Sequence, residues 1–593
     1  MTLVRETYRL RLDARSAATV RLRRWHGGMW WAQVAASGLL ALVLILAAQH
    51  ETAAAWVFLP VGGLIAAYAA ERELGRLKNR SARAAAMYGA ALARLDGRWE
   101  AVPFTGTEFV PADHVNAFDL DIVGERSLFA RLNTARTRMG ARELASWLLE
   151  PADQETRLRR QEAVSELQGR LDLREALHTA GPDGVAHIDE DLVRAWASGD
   201  VHLPWPWARV PLRVAAWSVV VASAGAAAGW WSVSFLVAAV ATTALVHMLL
   251  RARVNAVVVG ALEPLRQLSV TAAVMAELEK EAFRSRMLRE LQGVLLRGGR
   301  ASKHVARLDR LVAGLLAMQA DVIAVIGFPL LWPARKALGV EAWRRAHGSD
   351  IASWMRAVGA FEALCSVATW CDEHPTYRQA EVVADGPVFE AEGLGHPLLP
   401  DGRCVLNDVN LGGLGPRLLL LSGSNMSGKS TLIRAVGMTV AMGLAGIPVR
   451  ATRLKLSATR VGASIRVRDS VVHGESRFYA ELKRLKQVVG LVEASLPVFF
   501  LFDEILGGTN SHDRLAGASG LLVGLIRRGA IGICSTHDLA LAGIAVELGA
   551  RAMNAHFADR VEGDRLVFDY KLQPGVSRRT NAMELMLAMG IRA

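Results

Sequence analysis

The stretch from Leu418 to Thr431 leaves this chain few ways to fold. Four leucines, Leu418 to Leu421, and Ser422 run into Gly423-Ser424-Asn425-Met426-Ser427-Gly428-Lys429-Ser430-Thr431. This is the G-x-x-x-x-G-K-[ST] pattern, and its flanks read as a buried strand before it and a helix after it. The glycines let backbone N–H groups turn inward on phosphate oxygens, and the helix N-terminus adds partial positive charge. Lys429 is spaced to reach the β- and γ-phosphates of a nucleotide, and the Ser430 hydroxyl to hold Mg²⁺. Residues 423–431 are therefore the candidate ATP-binding set.

A second apolar strand, Leu496-Pro-Val-Phe-Phe-Leu-Phe502, ends in Asp503-Glu504. Asp503 suits Mg²⁺ binding through water, and Glu504 suits accepting a proton from, or orienting, an attacking water. A third strand, Ala530 to Cys534, runs into Ser535-Thr536-His537, where a histidine can sense the γ-phosphate. The candidate catalytic residues are thus Glu504, Lys429 and His537, with Ser430 and Asp503 as metal ligands.

These motifs together, Gly423 to Thr431, Asp503-Glu-Ile-Leu-Gly-Gly-Thr-Asn-Ser511 and Ser535-Thr-His537, resemble the MutS ATPase domain, a P-loop ATPase of ABC type. Asn425-Met426 separates that resemblance from most other P-loop proteins. Gly474-Glu-Ser-Arg-Phe-Tyr-Ala-Glu481 is similar to the MutS segment whose serine reaches a partner's ATP. The resemblance therefore implies Ser476 as a catalytic residue acting across a homodimer; an N-cap for the following helix fits the same position. The family usually has an aromatic near position 404 to stack on adenine, and this chain has Cys404-Val405-Leu406.

The rest of the chain points to a membrane. His26 to His50, Thr52 to Ala70 and Val214 to Leu250 contain no Asp, Glu, Lys or Arg. The first two are each about the ~20 residues that cross a bilayer, and the third is long enough for two spans around Gly225, Gly229, Trp230 and Trp231. Arginines flank both blocks, so the positive-inside rule puts the chain ends and the ATPase domain in the cytoplasm. Trp30, Trp31, Trp56 and Tyr68 suit an aromatic belt. A buried soluble helical pair is the competing reading of each block.

Leu128 to Pro151 carries apolar residues at helical spacing, and Arg157 to Leu167 reads as a basic amphipathic helix. Thr137, Gly140, Arg142, Trp147, Leu148 and Pro151 resemble the MutS core pattern. Helices with an apolar stripe follow over 256–375, including a lever-like run from Leu262 to Leu296. Cys365, Cys371 and His374 read as helix-packing residues rather than a metal site.

The expected fold is multidomain. It comprises a basic N-terminus (1–25), a transmembrane hairpin (26–72), a linker (73–118) and a MutS-core-like helical segment (119–203). A second transmembrane hairpin (204–253), core and lever helices (254–380) and an α/β P-loop ATPase domain of ABC type (381–593) complete it. That makes four transmembrane helices in two hairpins. The net charge of +12 suits a polyanionic partner such as DNA. No Phe-x-Glu wedge stands in a suitable context, so mismatch reading is not expected. An ABC-type ATPase driving a membrane complex or transport is the competing function, although no Leu-Ser-Gly-Gly-Gln signature occurs. A scaffold that binds ATP without turnover is the third.

Overall fold

The protein is represented by a computed structural model that describes residues 2–49, 54–99, 103–111, 114–181, 190–203, 205–316, 327–424, 427–465, 477–493, 496–562 and 565–576. At the N-terminus one unbroken helix, α1 (Thr2–Ala48), pairs with α2 (Phe58–Leu95). The arginine-rich first residues, expected as a separate basic N-terminus, are part of this pair. Ala84, Tyr88 and Ala91 recur at helical spacing and are buried, which carries α2 through the expected linker as far as Leu95. The Tyr8 and Tyr88 rings meet at 5.8 Å.

Next come short helices α3 (Leu128–Leu132), α4 (Arg138–Leu149), α5 (Gln154–Leu167), α6 (Leu171–Thr179) and α7 (Glu190–Ser198). The α1/α2 pair docks on α6. Arg11 pairs with Asp172 at 2.6 Å and Arg15 with Glu175 at 2.7 Å. Tyr88 Oη donates to Glu175 at 2.6 Å. Burial, first, and the neighbouring Glu175 push the Tyr88 hydroxyl above its ordinary value.

Helices α8 (Arg209–Ala227) and α9 (Val233–Leu278) form the second hairpin. They reverse where the sequence marked it: Gly229 has φ +72°, and a Cβ on Gly225 would lie 2.6 Å from the Trp231 ring. α10 (Arg286–Leu296), α11 (Ala301–Leu316) and the long α12 (Trp332–Glu373) follow. The expected lever from Leu262 to Leu296 is not one helix. It breaks after Leu278, where side chains satisfy the freed backbone: Glu166 accepts from Arg284 N and Ser285 N at 2.8 and 2.6 Å, and Glu279 accepts from Ser302 N at 2.8 Å. α9 instead extends upstream, so one helix belongs to both the hairpin and the helical core.

By length and composition, α1, α8, α9 and α12 could each cross a membrane. Burial separates them: 83% of the most apolar part of α12 is buried, against 0% for α1 and 6% for α9. α12 is a core helix. α2, expected as a span, is not among the candidates, because Glu71, Arg72 and Glu73 follow soon after its start. Three of the four expected spans therefore meet the requirement.

The residues of the MutS-like pattern hold α4 against α12. Thr137 caps α4 by accepting from Gly140 N at 3.2 Å, and it also donates its hydroxyl to Glu362. A Cβ on Gly140 would lie 2.4 Å from that carboxylate, so only glycine permits the approach. Arg142 pairs with Glu190 at 2.7 Å, and Arg160 sits 4.0 Å over the Trp147 ring. Burial lowers the Arg160 guanidinium to about 10. These arginines are engaged within the fold. Cys365 and Cys371 are buried thiols pushed up to about 12 by desolvation, and no metal-holding group of His, Cys, Asp or Glu occurs among the described residues.

The last part is α/β. Strands β1 (Glu381–Val383), β2 (Val388–Leu394) and β3 (Asn407–Gly412) precede β4 (Leu418–Ser422) and α13 (Lys429–Ala445). Then come β5 (Arg453–Ser457), β6 (Arg460–Ser464), α14 (Arg477–Gly490), β7 (Val498–Asp503), α15 (Ser511–Arg527), β8 (Ile531–Ser535), α16 (Ile544–Leu548), β9 (Ala552–Glu562) and β10 (Arg565–Pro574). One sheet runs β1-β5-β2-β3 and the other β10-β9-β4-β8-β7-β6. In the second, β9, β4, β8, β7 and β6 are parallel, and β4 and β7 are near-continuous apolar runs, as strands covered on both faces require. The hydrophobic core is continuous from the helices into this sheet: Leu120 lies where a Cβ on Gly437 would fall at 2.4 Å.

Candidate nucleotide site

Parallel strands deliver their carboxyl ends to one edge, and the loops there form the site. Leu421 pairs with Ser535, and Ser535 with Asp503, so three strands end in one row. The histidine strand β8 separates the loop strand from the acid strand by two strand spacings, roughly 10 Å. That gap is wide enough for a phosphate chain.

Gly423 and Gly428 adopt φ +141° and +108°, conformations that suit glycine. Lys429 is 4% exposed. Its Nζ donates to the carbonyls of Gly423 and Ser424 at 2.9 and 2.8 Å, which folds the amine over its own loop. The hydroxyls of Ser424 and Ser427 are buried and have no hydrogen-bond partner among the described residues. A buried unpaired hydroxyl is costly, and phosphate oxygens at this loop would satisfy both. Ser430 and Thr431 occupy the first turn of α13 and line the cavity.

Across the site, Ser535 Oγ donates to Asp503 and fixes its carboxylate. Glu504 has φ +53°, unusual for a residue with a side chain, and its N–H donates to Ser535 Oγ at 3.1 Å. His537 Nε2 lies 2.5 Å from Glu504 Oε1. The paired acids and the histidine are therefore one hydrogen-bonded unit. Leu506 N donates to the buried Glu481 at 2.5 Å, tying the turn after the acids to α14.

Lys429, Ser430, Thr431 and Glu504 line one cavity of about 700 Å³, together with His396, Cys404, Phe557 and Tyr570. Burial, first, and nearby Arg434 hold His396 down at about 4, so it is neutral near pH 7. Ser476, Asn425 and Met426 lie outside the described residues.

Sequence reading missed Tyr570. It has φ +55° and stands on the bulge of β10 between Phe568 and Leu572. Asn407 locks that bulge: its amide donates to Tyr570 O at 3.0 Å and its oxygen accepts from Leu572 N at 2.8 Å. A Cβ on Gly428 would touch the Tyr570 ring at 3.2 Å, so the ring lies against the phosphate loop. An aromatic therefore faces the cavity beside Cys404, from the far end of the domain.

Comparison with known proteins finds models of two domains of one family. The family model for MutS domain V matches residues 419–591, and that for MutS domain III matches residues 115–313. The domain III match runs through α8 and α9, so the second hairpin lies inside that segment. The DNA mismatch repair protein MutS of Methanococcoides burtonii is 28% identical over 42% of this chain and 28% of its own length. The DNA mismatch repair protein MutS of Sorangium cellulosum is 33% identical over 42% of this chain and 27% of its own length. That of Natronomonas pharaonis is 32% identical over 40% and 27%. The chain thus spans little more than a quarter of the length of these relatives. With both a core-helix model and the loop-bearing model matched in the family's order, the chain belongs to the MutS family.

Proposed function

We propose that this chain is a Mg²⁺-dependent ATPase of MutS type, anchored in the cytoplasmic membrane by α1 and the second hairpin. It pairs as a homodimer through the α/β domain and acts on double-stranded or branched DNA close to the membrane. The observation that carries the reading is the shared cavity of Lys429, Ser430 and Glu504, with the buried, unpartnered hydroxyls of Ser424 and Ser427 at its loop. Mg²⁺ held by Ser430 and Asp503 would neutralise charge on the phosphates. Glu504, oriented by His537, takes a proton from water, and Lys429 holds the outer phosphates. Ser476 completes the partner's site, as the family resemblance implies.

The DNA part rests on the names of the relatives and on the net charge of +12. Several arginines of the core helices are already paired inside the fold, so the DNA surface must be sought elsewhere. In detergent, the Glu504→Gln chain should shift from monomer to dimer by light scattering when ATP and Mg²⁺ are added. It should also bind duplex or junction DNA with an affinity that falls as salt rises. A chain that stays monomeric with bound ATP contradicts the composite site; no DNA binding at low salt contradicts the DNA ligand.

Tyr570 takes the place of the expected aromatic near Cys404 as the platform for adenine. Base stacking of this kind is worth about 1–3 kcal/mol. Tyr570→Ala should therefore weaken binding of a fluorescent ATP analogue roughly 5- to 150-fold, and Tyr570→Phe should leave it within about twofold. Equal affinity in Tyr570→Ala would remove the residue from the site.

A further inference from the structure

A second cavity, of about 690 Å³, lies where α8, α11 and α12 meet. Arg209 and Arg213 of α8, Arg307 of α11, and Arg335 and Lys336 of α12 line it with Trp332, and no Asp or Glu is among its described walls. Arg209 is held in place, its Nη2 donating to Leu338 O at 3.2 Å. Lys336 Nζ stands 5.5 Å over the Trp332 ring. Arg213, Arg307 and Arg335 have no ion-pair partner among the described residues. On the same face of α12, Asp350 Oδ2 lies 3.7 Å from His347 Nδ1. The first turn of α12 opens on the same cavity and adds its N-terminal dipole. Five cations around one cavity repel one another, and an anion among them would relieve that repulsion.

The place of the cavity says which anion. Arg209 begins α8, and Arg213 immediately precedes the charge-free run from Val214 to Leu250. Trp207 and Trp332 are exposed close by in the chain and on the cavity rim, and Arg253 of α9 lies 4.6 Å over the Trp205 ring. Aromatics beside arginines at the foot of an apolar hairpin mark the headgroup level of a bilayer. We propose that this cavity binds the phosphate of an anionic phospholipid headgroup. The guanidinium groups of Arg307 and Arg335 would fork onto its oxygens, and the acyl chains would lie along the hairpin. Bound there, the headgroup would join the foot of the second hairpin to α12, whose other end approaches the α/β domain.

This inference rests on the membrane reading above, and the test separates the two. Flotation of the full chain with vesicles of phosphatidylcholine alone reports membrane insertion. Native mass spectrometry of the full chain in detergent, titrated with phosphatidylglycerol or with phosphatidylcholine, reports the site. Wild-type protein should retain phosphatidylglycerol in preference to phosphatidylcholine. Arg307→Gln/Arg335→Gln should float as wild type does and bind phosphatidylglycerol roughly 30-fold more weakly. Arg289→Gln/Arg297→Gln, which removes two exposed cations in and just after α10, should bind as wild type does. Flotation with no lipid preference overturns this proposal alone, and so does an unchanged double variant. Displacement of the lipid by equimolar inorganic phosphate or duplex DNA assigns the cavity to a soluble anion and overturns it too. Failure to float removes the membrane reading and this one with it.

Discussion

Glu504→Gln is expected to lower steady phosphate release at least about a hundredfold while leaving ATP bound. A positioned general base typically contributes 10²- to 10⁴-fold. The substitution keeps the shape of the side chain and a hydrogen bond to His537, which stands 2.5 Å from Glu504 Oε1. It removes only the ability to accept a proton. The backbone of this residue is held by Ser535, so the change is local. Phosphate release and nucleotide affinity measured on the same preparation check the prediction. Release within threefold of wild type would assign proton acceptance to another group.

Lys429→Ala has the second large expected effect, and it falls on binding. The amine is buried under the loop and donates to two of its carbonyls at 2.9 and 2.8 Å. A nucleotide would draw it onto phosphate oxygens, where charged hydrogen bonds are worth about 1.5–3 kcal/mol. ATP affinity by equilibrium binding should therefore fall roughly 10- to 150-fold. Lys429→Arg should not restore it, because a planar fork does not fit a space shaped for a compact ammonium. Unchanged far-ultraviolet circular dichroism would show that the loss is not one of folding. Affinity within twofold of wild type would contradict the placement of this lysine.

What could be read ahead of the structure was local chemistry. The loop, the paired acids and His537 each announce themselves within a few residues, because a strand, a tight turn and a reactive side chain must follow one another directly. Their meeting at one edge follows from parallel strands. Tyr570 could not be read that way. It reaches the loop only because a bulge in β10 turns it there, and that bulge is held by Asn407, far back in the chain. The foot of the first hairpin was hidden for the same reason. Arg5, Arg11 and Arg15 read only as part of a basic N-terminus until Asp96, Asp172 and Glu175 are brought beside them. Charge-free runs located the apolar helices but not their ends. α9 continues into the core and α2 through the expected linker to Leu95, because a helix stops where its backbone finds other partners, and those partners are distant residues such as Glu166.

The continuity of α9 and α12 also gives the account its mechanical sense. Movement at the α/β edge has a packed route to the helices beside the second hairpin, through the shared core. That route matters only if nucleotide is turned over. The most direct measurement is steady phosphate release from ATP by the full wild-type chain in lipid nanodiscs, with Mg²⁺ present and with Mg²⁺ chelated. The account predicts turnover that requires Mg²⁺ and stands well above that of Glu504→Gln. Release no greater than the Glu504→Gln background, or release that persists after chelation, would contradict it.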